Sequence, residues 1–183
     1  MAPLNRRPGV IFSALLVAGL WPLAPANAGD ASLEYAVKAN FLYKFAPFVA
    51  WPPAALADPA APFRICVIGD DPFGATLDNA VRGQRIGTHR ITVRRATAAT
   101  RGMGCHVLFV GRSRVQSSAD MLAAVTGEPV LTVTDPGNGT SGGMIQFVMR
   151  NGRIRFTIDA TAASASGLNI SSKLMELAVA PGR

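Results

Sequence analysis

From residue 63 onward, short apolar runs bounded by turn residues alternate with segments of helical character, and few folds accommodate that rhythm. Residues 63–69 are nearly continuously apolar, the pattern of a strand buried on both faces. Asp70-Asp71-Pro72 follows, offering a cap and a proline for a helix that runs to about Val81. Residues 89–95 alternate, with Ile91 and Val93 inward and Thr92 and Arg94 outward, as in a strand nearer the sheet edge. Residues 107–110 predict a third strand, 114–125 a helix and 129–134 a fourth strand. Strand and helix in alternation specify a mainly parallel sheet with helices on both faces.

The last third changes pattern. Residues 144–150 and 153–159 are alternating runs joined by Asn151-Gly152, a pair that accepts the positive φ of a tight hairpin turn. A short helix over 160–166, a break at Gly167 and a terminal helix over 170–179 follow. The expected fold is therefore α/β: a single-domain three-layer sandwich, its mainly parallel sheet ending in an antiparallel hairpin.

Residues 33–46 predict an amphipathic helix, since Leu33, Val37, Phe41 and Phe45 recur every four residues and Phe48 continues the stripe. Pro47 disturbs the helical hydrogen bonding, and Trp51-Pro52-Pro53 ends the element. Such a stripe is ordinarily core. Phe48 and Trp51, however, lie beyond the break, where the chain no longer follows one buried stripe. They are candidates for a partner or dimer contact, as is the segment after the hairpin from Thr157 to Ile170.

The N-terminus reads as an export signal. Arg6 and Arg7 precede an uncharged apolar run from Val10 to about Leu23, and Ala26-Asn27-Ala28 supplies the small residues of a cleavage site. A retained anchor would want about 20 apolar residues; Pro22, Pro25 and the Ala-x-Ala site interrupt this run first. Cleavage after Ala28 leaves residues 29–183 as one domain, and Pro8-Gly9 after the arginines favours the general secretory route over twin-arginine export. Loss of Arg6 and Arg7 reduces the formal charge from +7 to +5, and the remaining basic clusters lack the interleaved aromatics of a nucleic-acid surface. No nucleic-acid partner is expected.

Cys66 and Cys105 are the only cysteines, each in an apolar run, and an even count in an oxidising compartment points to a disulfide. Two separate buried thiols are the alternative. Catalytic signals are weak. Gly137-Asn138-Gly139-Thr140-Ser141-Gly142 spells a dinucleotide motif, but a strand rather than a helix follows it. His106 adjoins Cys105, and neighbouring strand residues point to opposite faces, so the pair forms no dyad. Spacings among His89, His106 and the cysteines do not suit zinc, and no serine occupies a nucleophile elbow. No enzyme, metal or cofactor is expected. Asp70, Asp71 and Asp135 all follow strands at one sheet edge, where α/β folds bind ligands. They could line a small-ligand crevice or serve only as caps and turn residues.

Several segments, in order, resemble the YfiR/HmsC family of exported proteins. They are Ala39-Asn40-Phe41-Leu42-Tyr43-Lys44-Phe45, Phe48-Val49-Ala50-Trp51-Pro52, Ile65-Cys66-Val67-Ile68-Gly69-Asp70-Asp71-Pro72-Phe73-Gly74 and Cys105-His106-Val107-Leu108-Phe109-Val110. Val130-Leu131-Thr132-Val133-Thr134-Asp135, Gly142-Gly143-Met144-Ile145, Arg153-Ile154-Arg155-Phe156 and Gly167-Leu168-Asn169-Ile170-Ser171-Ser172-Lys173-Leu174 continue the likeness. The resemblance implies a periplasmic, often dimeric domain that restrains an inner-membrane diguanylate cyclase. Release would raise cyclic di-GMP and favour exopolysaccharide and biofilm. Cys66 and Cys105 match a family cysteine pair; the second pair of some relatives has no counterpart between Asp135 and Asp159. Asp159 stands where the family usually has Asn. The expected function is thus negative regulation of a membrane-anchored cyclase. The alternative is a small-ligand sensory protein of the periplasm acting with a membrane histidine kinase or receptor.

Overall fold

The hairpin turn, the apolar runs and the helical segments assemble into one seven-stranded sheet with helices on both faces. A computed structural model describes residues 28–180. The leader expected over residues 1–28 lies outside them except for Ala28, where the first helix begins. Helix α1 (Ala28–Lys44) leads through a 3-10 turn at Ala46–Phe48 into the two-residue strand β1 (Val49–Ala50). Then come β2 (Phe63–Ile68), α2 (Ala75–Val81), β3 (Arg85–Ile86), β4 (His89–Ala96) and β5 (Val107–Val110). The chain finishes with α3 (Ser118–Ala124), β6 (Leu131–Thr134), β7 (Ile145–Arg150), β8 (Arg153–Ile158), α4 (Ala160–Ala165), β9 (Asn169–Ile170) and α5 (Ser172–Leu177).

The strand order is β3-β4-β2-β5-β6-β7-β8. Strands β4, β2, β5, β6 and β7 run parallel, and β3 and β8 close the two ends antiparallel. Alternation sorts the central strands into two layers. Ile65, Val67, Val107, Phe109, Leu131 and Val133 face α1, α2 and α5, meeting Ala39, Leu42, Phe45, Leu77, Val81 and Leu174. Cys66, Ile68, Leu108 and Val110 face α3, meeting Met121 and Val125. Fully buried phenylalanines such as Phe45 and Phe147 would each cost about 3–5 kcal/mol to truncate to alanine. Asn151 (φ 51°) and Gly152 (φ 68°) adopt the left-handed turn that the sequence predicts.

Several boundaries move for local reasons. The helix expected directly after Pro72 begins at Ala75, because Asp71 accepts the N–H groups of Phe73 and Gly74 and closes a turn first. The helix expected from residue 114 begins at Ser118, capped by Ser117. Gln116 is held instead by both backbone groups of Ala99. Ile170 lies in β9, paired with Val49, and not in the terminal helix; Ser171 caps α5 after it. The stripe on α1 also shifts. Phe45 is buried, but Leu33 and Val37 are exposed, and the core-facing residues are Lys38, Ala39, Leu42, Phe45 and Ala46.

Candidate functional site

The polar groups of the sheet sit at its two ends. Where β2, β5 and β6 finish, Asp135 is buried against Lys38, whose Nζ donates to its carboxylate at 2.5 Å. Glu34, one turn earlier on α1, accepts a second hydrogen bond from the same ammonium. The rings of Tyr35 and Phe147 stand 4.8 and 5.7 Å from Nζ, close enough for cation–π attraction. Burial works to lower the Lys38 pKa, but the hydrogen bonds to Asp135 and Glu34 outweigh it, and the pKa lies above the ordinary lysine value. Burial, aided by the Asp135 charge, pushes the Tyr35 phenol up. The other Asp135 oxygen accepts the Gly137 N–H at 3.1 Å, so one carboxylate both neutralises Lys38 and holds the turn after β6.

Asp71 is engaged separately. One oxygen caps the turn before α2, and the other accepts from Arg95 Nε at 2.6 Å. Arg95 also reaches Asp78 at 2.7 Å, and that hydrogen bond holds the Asp78 carboxyl below the ordinary range. Asp70 is exposed, and its backbone N–H donates to the Arg112 carbonyl. The three aspartates share one end of the sheet, but Asp71 and Asp135 each carry a cation of this chain. Asp135 lines a hollow of about 260 Å³ with Glu34, Lys38, Phe147 and Met149; neither Asp70 nor Asp71 lines it.

At the opposite end, His106 begins the run that becomes β5. Its Nδ1 accepts the Arg64 N–H at 3.0 Å, and its Nε2 donates to the Ala55 carbonyl at 2.9 Å. These partners specify a neutral ring protonated on Nε2. Burial holds its pKa below the ordinary histidine value, against the opposing effect of the Ala55 carbonyl. Cys105 faces the α3 layer and is joined to Cys66, with Cα atoms 5.8 Å apart.

The residues put forward as contacts fall in two places. Phe48 and Ile170 are half-buried at the small β1–β9 ribbon, where the Ser171 N–H donates to the Phe48 carbonyl. Trp51, also half-buried, packs edge-on against Phe63 and donates from Nε1 to the Ala46 carbonyl at 3.2 Å. Thr157 is buried on β8, opposite Gln146. Exposed apolar side chains gather elsewhere. Leu33 (66% exposed), Val37 (37%) and Met149 (51%) line, with Phe41 and Ile154, a groove of about 670 Å³ between α1 and β8.

Among the described residues, no cluster of three His, Cys, Asp or Glu could hold a metal, and no helix is long and apolar enough to cross a membrane. A family model described as YfiR/HmsC-like matches residues 35–179. The chain belongs to the YfiR/HmsC-like family. No curated protein matches it. The family is regulatory and non-catalytic, and it acts in the periplasm with membrane signalling partners. The Cys66–Cys105 disulfide fits an exported protein.

Sequence reasoning missed Lys38, Glu34 and Arg95 in this YfiR/HmsC-like protein. Lys38 did leave a signal: with Leu42 and Phe45 it follows the i, i+4, i+7 spacing of the buried face. A lysine in such a stripe requires a buried counter-ion. Nothing in the sequence named Asp135, 97 residues away, as that partner.

Proposed function

We propose that this protein is a periplasmic negative regulator. It binds the extracytoplasmic part of an inner-membrane diguanylate cyclase and restrains it, lowering cyclic di-GMP and with it biofilm and exopolysaccharide output. The carrying observation is the family match over residues 35–179, which spans β1 to β9 and every helix but the first turns of α1. The reading includes export by a leader cleaved after Ala28, a single domain over 29–183 and a homodimer. Phe48, Trp51, Thr157 and Ile170 are its proposed contact residues. It includes no catalytic group, metal or cofactor.

The chemistry of the sheet ends supports binding over catalysis. Lys38, Asp135, Asp71, Arg95 and His106 all make their charged or ring hydrogen bonds to groups inside the fold. Small-ligand sensing through Asp70, Asp71 and Asp135 has less support, because two of the three are already neutralised.

The test is a strain lacking the gene, assayed for cyclic di-GMP and for surface attachment. Both should rise, and both should return to the parental level when the full-length gene is restored. Unchanged cyclic di-GMP and unchanged attachment overturn the reading.

A further inference from the structure

Strand β8 ends the sheet, so one of its edges faces no other strand. Which backbone groups point to that edge follows from two hydrogen bonds. The Val179 N–H donates to the Phe156 carbonyl from outside the sheet, and the Asp159 N–H donates inward to the Met144 carbonyl beside β7. Backbone groups alternate along a strand. Arg153, Arg155 and Thr157 therefore bond to β7, while Ile154, Phe156 and Ile158 turn outward. Val179 occupies the Phe156 carbonyl. Among the described residues, nothing occupies the N–H or C=O of Ile154 or the N–H of Phe156.

The open stretch has two chemically distinct sides. Toward α1 lies a groove lined by Leu33, Val37, Phe41 and Ile154, with Leu33 two-thirds exposed, and bordered by Glu34 and by Arg153 and Arg155 of the strand itself. The side chains of Arg153 and Arg155 alternate with that of Ile154 along the strand and are exposed, and Arg150 stands directly across from Arg153. None of these three arginines has a carboxylate within 4 Å among the described residues. Like charges directly opposite in a ladder are unfavourable, and among the described residues no carboxylate offsets them.

We propose that this edge is the partner-binding site and that it takes an extended acidic segment by strand addition. The incoming strand would bond to the groups of Ile154 and Phe156 that the described residues leave open. Its inward side chains would be apolar, filling the groove against Leu33, Val37 and Phe41. Its alternate side chains would be carboxylates facing Arg153 and Arg155. Edges are ordinarily guarded against self-pairing by charge, and pairing two copies of β8 would set arginine against arginine. The occupant is therefore another protein, and the Val179 N–H shows that an outward carbonyl of this edge can accept a backbone hydrogen bond.

The inference rests on the regulatory reading for the partner's identity, and the test separates the two. Two probes are titrated against the full mature chain: the periplasmic part of a membrane diguanylate cyclase, and a short peptide alternating valine and glutamate. A peptide of the same composition in blocks is the control. Three variants are compared. Leu33→Glu charges an exposed groove position, Ile154→Pro removes an outward N–H that its own hairpin does not use, and Arg155→Glu reverses the opposite face. Melting temperatures confirm that each is folded. Arg90→Glu, at the far end of the sheet, should bind like the parent.

Each of the three edge variants should weaken both probes by about tenfold or more. If the cyclase domain binds and no edge variant weakens it, the regulatory reading stands and the edge proposal is overturned. If only the alternating peptide binds, with losses in the variants, the edge proposal stands and the cyclase reading fails. Binding of neither probe, or loss of self-association as the sole effect of Leu33→Glu, overturns the edge proposal.

Discussion

Lys38 on α1 and Asp135 at the end of β6 form a buried ion pair at 2.5 Å, across 97 residues of chain. Each is 2% exposed, so neither can turn to water when the other is removed. Lys38→Met should therefore lower stability by about 3–5 kcal/mol, the range for breaking a buried pair from one side. Adding Asp135→Asn removes the stranded charge and keeps an oxygen for the Gly137 N–H. The double variant should recover much of the loss in a denaturant titration. A double variant less stable than Lys38→Met would refute this account.

The same pair sets an alkaline limit. The Lys38 pKa is raised in the folded state, so its contribution is complete below the unfolded value near 10.5 and is lost as pH rises through the folded pKa. Unfolding followed from pH 9 upward should show a decline that the Lys38→Met variant lacks.

His106 acts in the opposite direction. Its folded pKa is depressed below 6.5 by burial, so the unfolded chain binds the proton more readily. Stability should fall as pH drops below about 6.5 and level off beneath the folded pKa. Protonation of Nδ1 would also remove the acceptor for the Arg64 N–H. Urea midpoints measured across this window, against a His106→Gln variant, check the assignment; parallel profiles in the two proteins would reject it.

Cys66 and Cys105 close a loop of 39 residues between neighbouring strands β2 and β5. The chain-entropy model assigns such a loop ~4 kcal/mol. Cys66→Ser should lower stability by up to that amount, and non-reducing peptide mapping of the parent should recover one linked pair. Two alkylatable thiols in the purified periplasmic protein would contradict the bond.

Trp51 tests whether one residue serves core and contact together. Its edge-on packing against buried Phe63 and its bond to the Ala46 carbonyl predict a loss of about 3 kcal/mol in Trp51→Ala. Sedimentation of the same variant measures self-association separately. Weakened association at an unchanged melting temperature would place Trp51 wholly in a contact surface.

The sheet was legible in the sequence because its strands carry their own signatures: continuous apolar runs in the centre, and Asn151-Gly152 at the hairpin. Strands β1, β3 and β9 were not legible, since two residues carry no periodicity and each exists only through its partner. On α1 the four-residue spacing identified a helix but misplaced its buried face, because Leu33 and Val37 lie along a groove that no other described element fills. Asp71, Asp135 and the cysteines stood out in the sequence; the structure joins the cysteines to each other and puts the two aspartates in ion pairs. Their partners Arg95 and Lys38 depended on tertiary contact that no local spacing encodes.

The ribbon of β1 and β9 joins residues 49–50 to residues 169–170, and the Ser171 N–H reaches back to the Phe48 carbonyl. The domain is thereby closed on itself near both of its ends, with nearly the whole sheet enclosed between them. Contacts so distant along the chain slow folding, because the entropy of closing the loop is lost before the contact is gained. The last strand must arrive before the first can pair, so the chain cannot be completed progressively from its N-terminus.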